Sequence, residues 1–288
     1  MEKYDISNSN TIPVLPVGIV ENYKPSITIE ERTKSFEEPY KIKLSHGTPK
    51  IIRLDMRSAN YFTKNLIKPF DEFFSHCMVE TTKHLCDQIP GAKFGYTQSD
   101  EITIVIKDTD ENGNHIDFYD NTLIKISTLA ASLCTNIFNK EWVRGIGIMD
   151  DKGLSRKEME PYIERTFSAN FDCKYFDVPS EDELLNNLYL RQKHCLTDSI
   201  DAVSRLHFTL NELKNIDSEG KIKMLSEKGI NFYDVSSKYK NGLICYKVPT
   251  SKSNDTKYIW KETVAPTFKS NIRFISSIYN GTGLFEIK

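Results

Sequence analysis

The chain has 288 residues, which excludes a miniprotein, and its 38 Lys and Arg against 40 Asp and Glu give a charge of -2, which excludes a generic polybasic binder. At 39% hydrophobic and 11% aromatic residues it can bury one large or two ordinary cores, and no long stretch has the composition of a disordered tail. The longest apolar run, around 123–138, is broken by Lys125, Ser127, Thr128 and Ser132 and falls short of the roughly 18 residues a bilayer span needs, so no membrane segment is expected. The first twenty residues, with Glu2, Lys3 and Asp5, show neither a signal nor a transit pattern, which makes a cytoplasmic location the expectation. Six widely spaced cysteines without a C-x-x-C read as reduced thiols, and Cys77, Cys86 and Cys134 as small core residues.

Residues 1–40 carry Pro13, Pro16 and Pro25 in a mixed polar context and read as an irregular N-terminal arm. A β-rich run from Thr48 ends in Asp55, the mark of a buried strand that presents an acid at its C-terminal end. Pro69 can open a helix whose apolar face runs through Phe70, Phe73, Phe74, Cys77, Met78, Leu85 and Ile89, and Pro90-Gly91 stops it. Two β-like runs, 93–96 and 102–106, flank Thr97-Gln98-Ser99-Asp100-Glu101, whose polar residues suit a hairpin turn. A helix over 119–139, apolar on most sides and therefore well buried, and a strand near 169–176 complete a β-α-β-β-α-β order.

The expected fold class is α+β, a ferredoxin-like sheet of the kind that forms polymerase palms, with a helical second module and a C-terminal hairpin extension. Ser180 and Glu183 form a capping-box pattern before one or two long helices reaching about Leu213, and the tail reads as a hairpin with extended segments. The expected division is an arm at 1–40, a palm at 41–178 and an RNA-facing helical and hairpin module at 179–288.

In such a sheet the end of the first strand neighbours the hairpin between the second and third, so Asp55 and Asp100 could converge. Two carboxylates bridging a pair of Mg2+ ions supply nucleotidyl-transfer chemistry. From spacing alone, an acid ending a strand and an acid in a turn can equally be solvated. The local wording goes further. Arg53-Leu54-Asp55-Met56-Arg57-Ser58-Ala59-Asn60-Tyr61-Phe62 resembles the R-I-D-G-R-x-F-H-x-F signature of the tRNA-His guanylyltransferase family, and Gly95-Tyr96-Thr97-Gln98-Ser99-Asp100-Glu101 resembles its Y-G-Q-S-D-E. Between them Lys68-Pro69-Phe70-Asp71 is similar to K-P-x-D, and further on Phe171-Asp172-Cys173-Lys174 is similar to F-D-G-R; the resemblance spans about 41–246, including Arg191-Gln192.

The resemblance implies a palm-like core that adds nucleotides to the 5' end of tRNA in the 3'-to-5' direction, with two Mg2+ ions as cofactor and ATP, GTP or other nucleoside triphosphates as substrates. It implies Asp55 and Asp100 as the catalytic metal-binding carboxylates, with the backbone carbonyl of Met56 as a further ligand. It also implies a nucleotide-binding set of Asp55, Met56, Arg57, Ser58, Ala59, Asn60, Lys68, Ser99, Asp100 and Lys125, the two lysines meeting the triphosphate. Glu101 is a candidate further ligand or orienter. A homotetramer is implied as well.

Departures narrow the reading. Met56 stands for the motif glycine, Asn60 for its histidine, and Asn121-Thr122 for the usual Arg-Arg. The H-I-N-N-L-Y-N signature of members that add guanosine to tRNA-His is replaced by Leu196-Thr197-Asp198-Ser199-Ile200-Asp201-Ala202. This resembles the guanylyltransferase-like branch, which extends 5'-truncated tRNAs on a template in 5'-end repair or editing. The alternatives are non-templated guanosine addition to tRNA-His and a non-catalytic tRNA-binding paralogue. With a near-neutral chain, RNA contacts would have to come from local groups such as Lys238-Tyr239-Lys240, the basic residues of 252–261, or Arg191 with Lys193.

Overall fold

A computed structural model describes residues 28–110, 112–249 and 258–282. The chain divides into two compact units, 1–41 and 42–288. In the first, residues 1–27 of the expected irregular arm lie outside the described residues, and the arm's remainder forms a helix, α1 (Ile29–Glu37). A reciprocal cap makes it: the Thr28 hydroxyl accepts from the Glu31 N–H at 3.2 Å, and the Glu31 carboxylate accepts from the Thr28 N–H at 2.8 Å. No residue of α1 is buried.

The second unit runs β1 (Lys50–Met56), α2 (Ala59–Phe62), α3 (Glu72–Gln88), β2 (Ala92–Gln98), β3 (Glu101–Ile106), α4 (Leu123–Asp151), α5 (Arg156–Ile163) and β4 (Phe171–Asp177). It continues with α6 (Glu181–Ser204), α7 (Ser218–Glu227), α8 (Ser237–Asn241), β5 (Leu243–Pro249), β6 (Tyr258–Val264) and α9 (Ile272–Asn280). The strands form one antiparallel sheet in the order β4-β1-β3-β2-β5-β6. Its first four strands have the ferredoxin-like order expected of the α+β palm.

Alternation along β1 sorts the two faces. Ile52, Leu54 and Met56 join one core with Cys77, Met78 and Leu85 of α3 and Ile126, Phe138 and Trp142 of α4. Ile51 joins the other with Phe94, Tyr96 and Val105, roofed by Leu184 and Leu188 of α6 and Phe274, Ile275 and Ile278 of α9. All six residues of β3 are buried because both faces are covered. All six cysteines are free thiols, with Cys77, Cys86 and Cys134 in the core.

Three features differ from the sequence reading. The helix expected from Pro69 begins at Glu72, because the Asp71 carboxylate caps it by accepting from the Phe74 N–H at 2.8 Å. Helix α4 is longer than 119–139 and is covered on one side only, so Ile124, Leu129, Val143 and Ile148 stay exposed. Residues 179–288 read as a module of their own, yet β5 hydrogen-bonds to β2 and carries β6 with it, extending the palm sheet. The physical reason is the otherwise open edge of β2, whose backbone groups β5 satisfies. Among the described residues no helix is long and apolar enough to cross a membrane.

Candidate active site

The site forms where β1 ends beside the β2–β3 turn. Register places Asp55 opposite Glu101 on one side and opposite Asp172 of β4 on the other, and the Met56 N–H donates to the Asp100 carbonyl at 3.1 Å. The turn is only Ser99-Asp100, and it closes with Ser99 at φ +48°, in the left-handed region. After β1 the chain turns through Ser58, also left-handed at φ +57°, into α2. Since Ile52, Leu54 and Met56 face α3 and α4, Asp55 and its cross-strand neighbours Glu101 and Asp172 face the α6 side.

Like charges so placed resist ionisation. Partial desolvation, then the carboxylates of Asp100 and Asp172, hold the Asp55 carboxyl above the usual range against the pull of Lys174 and Arg53. Desolvation likewise raises Asp100, with Asp198 adding to it and hydrogen bonds from the turn opposing it. Glu101 is also raised, by burial, although Arg191 of α6 donates to its Oε2 at 2.8 Å and Arg53 lies 3.9 Å away. Its other oxygen, Oε1, is buried without a partner. A group of oxygen donors that are costly to charge in isolation, and of which one is orphaned, fits a hard divalent cation.

An open cleft of about 750 Å3 runs along this edge, lined by Met56, Ser58, Ala59, Asn60, Lys68, Ser99 and Asp100 of the expected set. Met56 is 3% exposed and packs in the core, so the side chain that replaces the motif glycine is largely accommodated away from the cleft. Asp55 and the exposed Arg57 flank the lined surface, and the Arg57 N–H donates to the Asn170 carbonyl at 2.8 Å. Desolvation lowers the Lys68 ammonium's pKa against the attraction of Asp71. Lys125 is not among the lining residues; it stands on the first turn of α4 with its Nζ 4.6 Å above the Tyr119 ring.

A second cavity of about 150 Å3 adjoins the cleft, sharing Lys68, Pro69, Phe74, Ser99 and Asp198 with it and lined further in by Leu66, Met78 and Tyr239. The buried Gln98 Oε1 and Ser199 Oγ on its wall have no partner. Asp71, the acid of the K-P-x-D element, is a supporting residue, since its Oδ2 accepts from the Ile67 N–H at 3.0 Å and the Tyr162 hydroxyl at 2.8 Å.

Sequence reasoning missed Asp172, Asp198, Asp201 and Arg205. The last three line the cleft from α6 or its end. Their spacing of three and four residues was the available signal, since it places them on one helical face. Of the suggested RNA contacts, Arg191 is spent on Glu101, Lys238 pairs with Glu72, and Lys240 donates to the Tyr233 carbonyl at 2.6 Å. Residues 252–257 lie outside the described residues.

Comparison with known proteins agrees with this geometry. The family model described as tRNAHis guanylyltransferase matches residues 30–179. A probable tRNA(His) guanylyltransferase of Dictyostelium discoideum is 24% identical over 78% of this chain and 84% of its own length. An uncharacterised protein of Acanthamoeba polyphaga mimivirus is 27% identical over 69% of this chain and 70% of its own. Among solved structures, a bacterial tRNA(His) guanylyltransferase-like protein in complex with ATP superposes with a TM-score of 0.73 and 27% identity, covering 88% of this chain and 99% of that one. The corresponding complex with GTP gives 0.68 and 26%, covering 87% and 98%. The chain belongs to the tRNAHis guanylyltransferase family, whose members are nucleotidyltransferases.

Proposed function

We propose that this chain extends the 5' end of tRNA in the 3'-to-5' direction, on a template, as in 5'-end repair or editing. The observation that carries the reading is the meeting of Asp55 with the Ser99-Asp100 turn at the mouth of a cleft walled by the Ser58–Asn60 segment and Lys68. The templated mode is favoured by α6, where Asp198 and Asp201 line the cleft in the stretch that lacks the guanosine-addition signature, with Arg205 lining it just beyond.

Asp55, Asp100 and the Met56 carbonyl would hold two Mg2+ ions, which when bound polarise a phosphoryl group and lower the pKa of an attacking hydroxyl. In the first step an oxygen of the RNA 5'-monophosphate attacks the α-phosphorus of ATP, and pyrophosphate leaves. In the second, the 3'-hydroxyl of an incoming nucleotide attacks the activated 5' phosphorus, the bond to AMP breaks and AMP leaves. A 5'-triphosphate end would release pyrophosphate directly.

Lys68 neutralises triphosphate charge at the cleft wall, where partial desolvation, which lowers its pKa, is relieved by a bound anion. Backbone and hydroxyl groups of Ser58, Ala59, Asn60 and Ser99 position the nucleotide, and the cavity behind Ser99, with apolar Leu66 and Met78 and the unpartnered Gln98 Oε1 and Ser199 Oγ on its wall, suits a base. Lys125 can join only by leaving the Tyr119 ring, and Arg57 only by turning its exposed side chain inward. We assign the exposed apolar residues of α4 to a homotetramer contact, tested by light scattering for four chains of 33.2 kDa.

The test is incubation with Mg2+, ATP, labelled nucleotides and a 5'-truncated, 5'-monophosphorylated tRNA, beside Asp55→Ala and Asp100→Ala. Template-complementary extension lost in both variants is the expected result. Guanosine added without a template, on tRNA-His only, would favour the alternative mode. Binding of tRNA without any incorporation would leave a non-catalytic paralogue.

A further inference from the structure

Lys50 pairs with Ile106 at the end of β1 remote from Asp55, so a strand rising about 3.4 Å per residue separates the two ends by roughly 17 Å. At that far end the loop before β1 meets the loop between β3 and α4. Asp108, 3% exposed, is fixed there from three sides: its Oδ2 accepts from the Lys50 ammonium at 2.8 Å and from Asn121 Nδ2 at 3.2 Å, and its Oδ1 accepts from the Gly47 N–H at 3.1 Å. Burial resists its ionisation, but these bonds outweigh burial and hold the carboxyl below its usual range.

Two exposed imidazoles stand over this carboxylate. His46 Nδ1 lies 3.4 Å from Asp108 Oδ2, and the His46 and His115 ring centroids are 4.5 Å apart. His115 is delivered by a small hairpin: it bridges back to Thr109, and Asp110 ties the turn by accepting from the Asn112 and Asn114 N–H groups at 2.9 and 2.8 Å. One ligand atom from each of His46, Asp108 and His115 falls within 4.8 Å of the others.

We propose that His46, Asp108 and His115 form a transition-metal site, of the Zn2+ type, separate from the catalytic carboxylates. Two imidazoles and one carboxylate are the donors such ions take, whereas Mg2+ prefers oxygen alone. Zn–N and Zn–O bonds of 2.0–2.2 Å set ligand atoms about 3.4 Å apart in a tetrahedron, so closure asks a shift of about 1 Å from exposed rings. Lys50, Asn121 and Gly47 orient the carboxylate before any ion arrives, as outer partners do in built sites. Asp120 Oδ1, 3.7 Å from His46 Nε2, stands on the ring's other nitrogen, where it can orient the imidazole whose Nδ1 meets Asp108. The Lys50 charge offsets that of Asp108 and Lys43 pairs with Asp120, so the site brings little net negative charge of its own and favours ions that bind imidazole strongly. Its effect is to join the two loops ahead of β1 and α4.

The experiment uses the full chain stripped by chelator and then titrated with Zn2+ against a chromophoric chelator. One equivalent should bind, should persist in the Asp55→Ala/Asp100→Ala double variant, and should weaken at least 10-fold in His46→Gln and in His115→Gln. Thermal denaturation without zinc should be alike in wild type and both histidine variants, while added zinc should raise the midpoint of the wild type alone. X-ray absorption on the wild type, which needs no variant, should show imidazole scattering. Absence of a stoichiometric equivalent, loss of it in the aspartate double variant, insensitivity to both histidine substitutions, or a spectrum without imidazole would each overturn the proposal.

Discussion

Asp55, Asp100, Glu101 and Asp172 crowd one end of a sheet, and the protein spends folding free energy to keep three of them there with raised pKa values. The sign is fixed by proton uptake. A carboxyl whose folded pKa lies above its unfolded value near 4 binds more protons folded than unfolded, so without metal, stability is lost as pH rises through that interval. Asp100→Asn should therefore raise the melting temperature of the metal-free protein, by an amount that grows from pH 4 upward and vanishes below it, while incorporation falls about 100-fold or more. Thermal melts across pH, with and without Mg2+, check this, and Mg2+ should stabilise the wild type more than the variant.

Glu101 shows the opposite dependence on a partner. With Arg191 donating at 2.8 Å and both side chains little exposed, Arg191→Ala leaves a buried carboxylate with Arg53 alone and should cost about 3 kcal/mol in urea unfolding. Adding Glu101→Gln should restore part of that loss. The sequence wording could present Arg191-Gln192 only as a similarity; the pairing with Glu101 depends on α6 lying over β3, ninety residues away in the chain.

At the scale of elements, the approach of α3 to β2 depends on Gly95. A Cβ there would stand 2.4 Å from Thr82 Cγ2 and 2.8 Å from Cys86 Sγ, both on a packed helix. Gly95→Ala should cost about 1–3 kcal/mol by overpacking, measured as a lower urea midpoint. Gly147→Ala on α4, where nothing lies within 4 Å, is the control and should gain up to about 1 kcal/mol. Most of these elements were legible locally, because β1 and the α3 face follow clean periods and the Ser99-Asp100 turn joins two β-rich runs. The start of α3 was misplaced because a side-chain cap at Asp71, not the proline, sets it.

Across the whole molecule, Gln192 joins α6 to the C-terminal segments. Its amide donates to the Asn241 carbonyl at 3.2 Å and the Pro266 carbonyl at 2.9 Å, and accepts from the Phe268 N–H at 2.9 Å. Gln192→Ala would orphan the Pro266 carbonyl and the Phe268 N–H, while the Asn241 carbonyl keeps the Tyr96 hydroxyl at 2.9 Å, so a loss of about 2 kcal/mol is expected, with faster amide exchange in α6 and around residue 268. Because α6 also carries the cleft residues Asp198 and Asp201, nucleotide affinity should weaken in the same variant.

What the sequence determined by itself is what short-range patterns encode: the order of strands and helices, the palm class, and two acids at a strand end and in a turn, with a wording similar to one family. The tertiary structure alone decided that β5 and β6 extend the palm sheet, that Asp172 and the α6 acids join the site, that Lys125 rests on Tyr119, and that His46, Asp108 and His115 meet at the far end. The physical reason is range. Periodicity and caps are set within a few residues, whereas edge pairing and the convergence of charges are set by which distant surfaces bury one another.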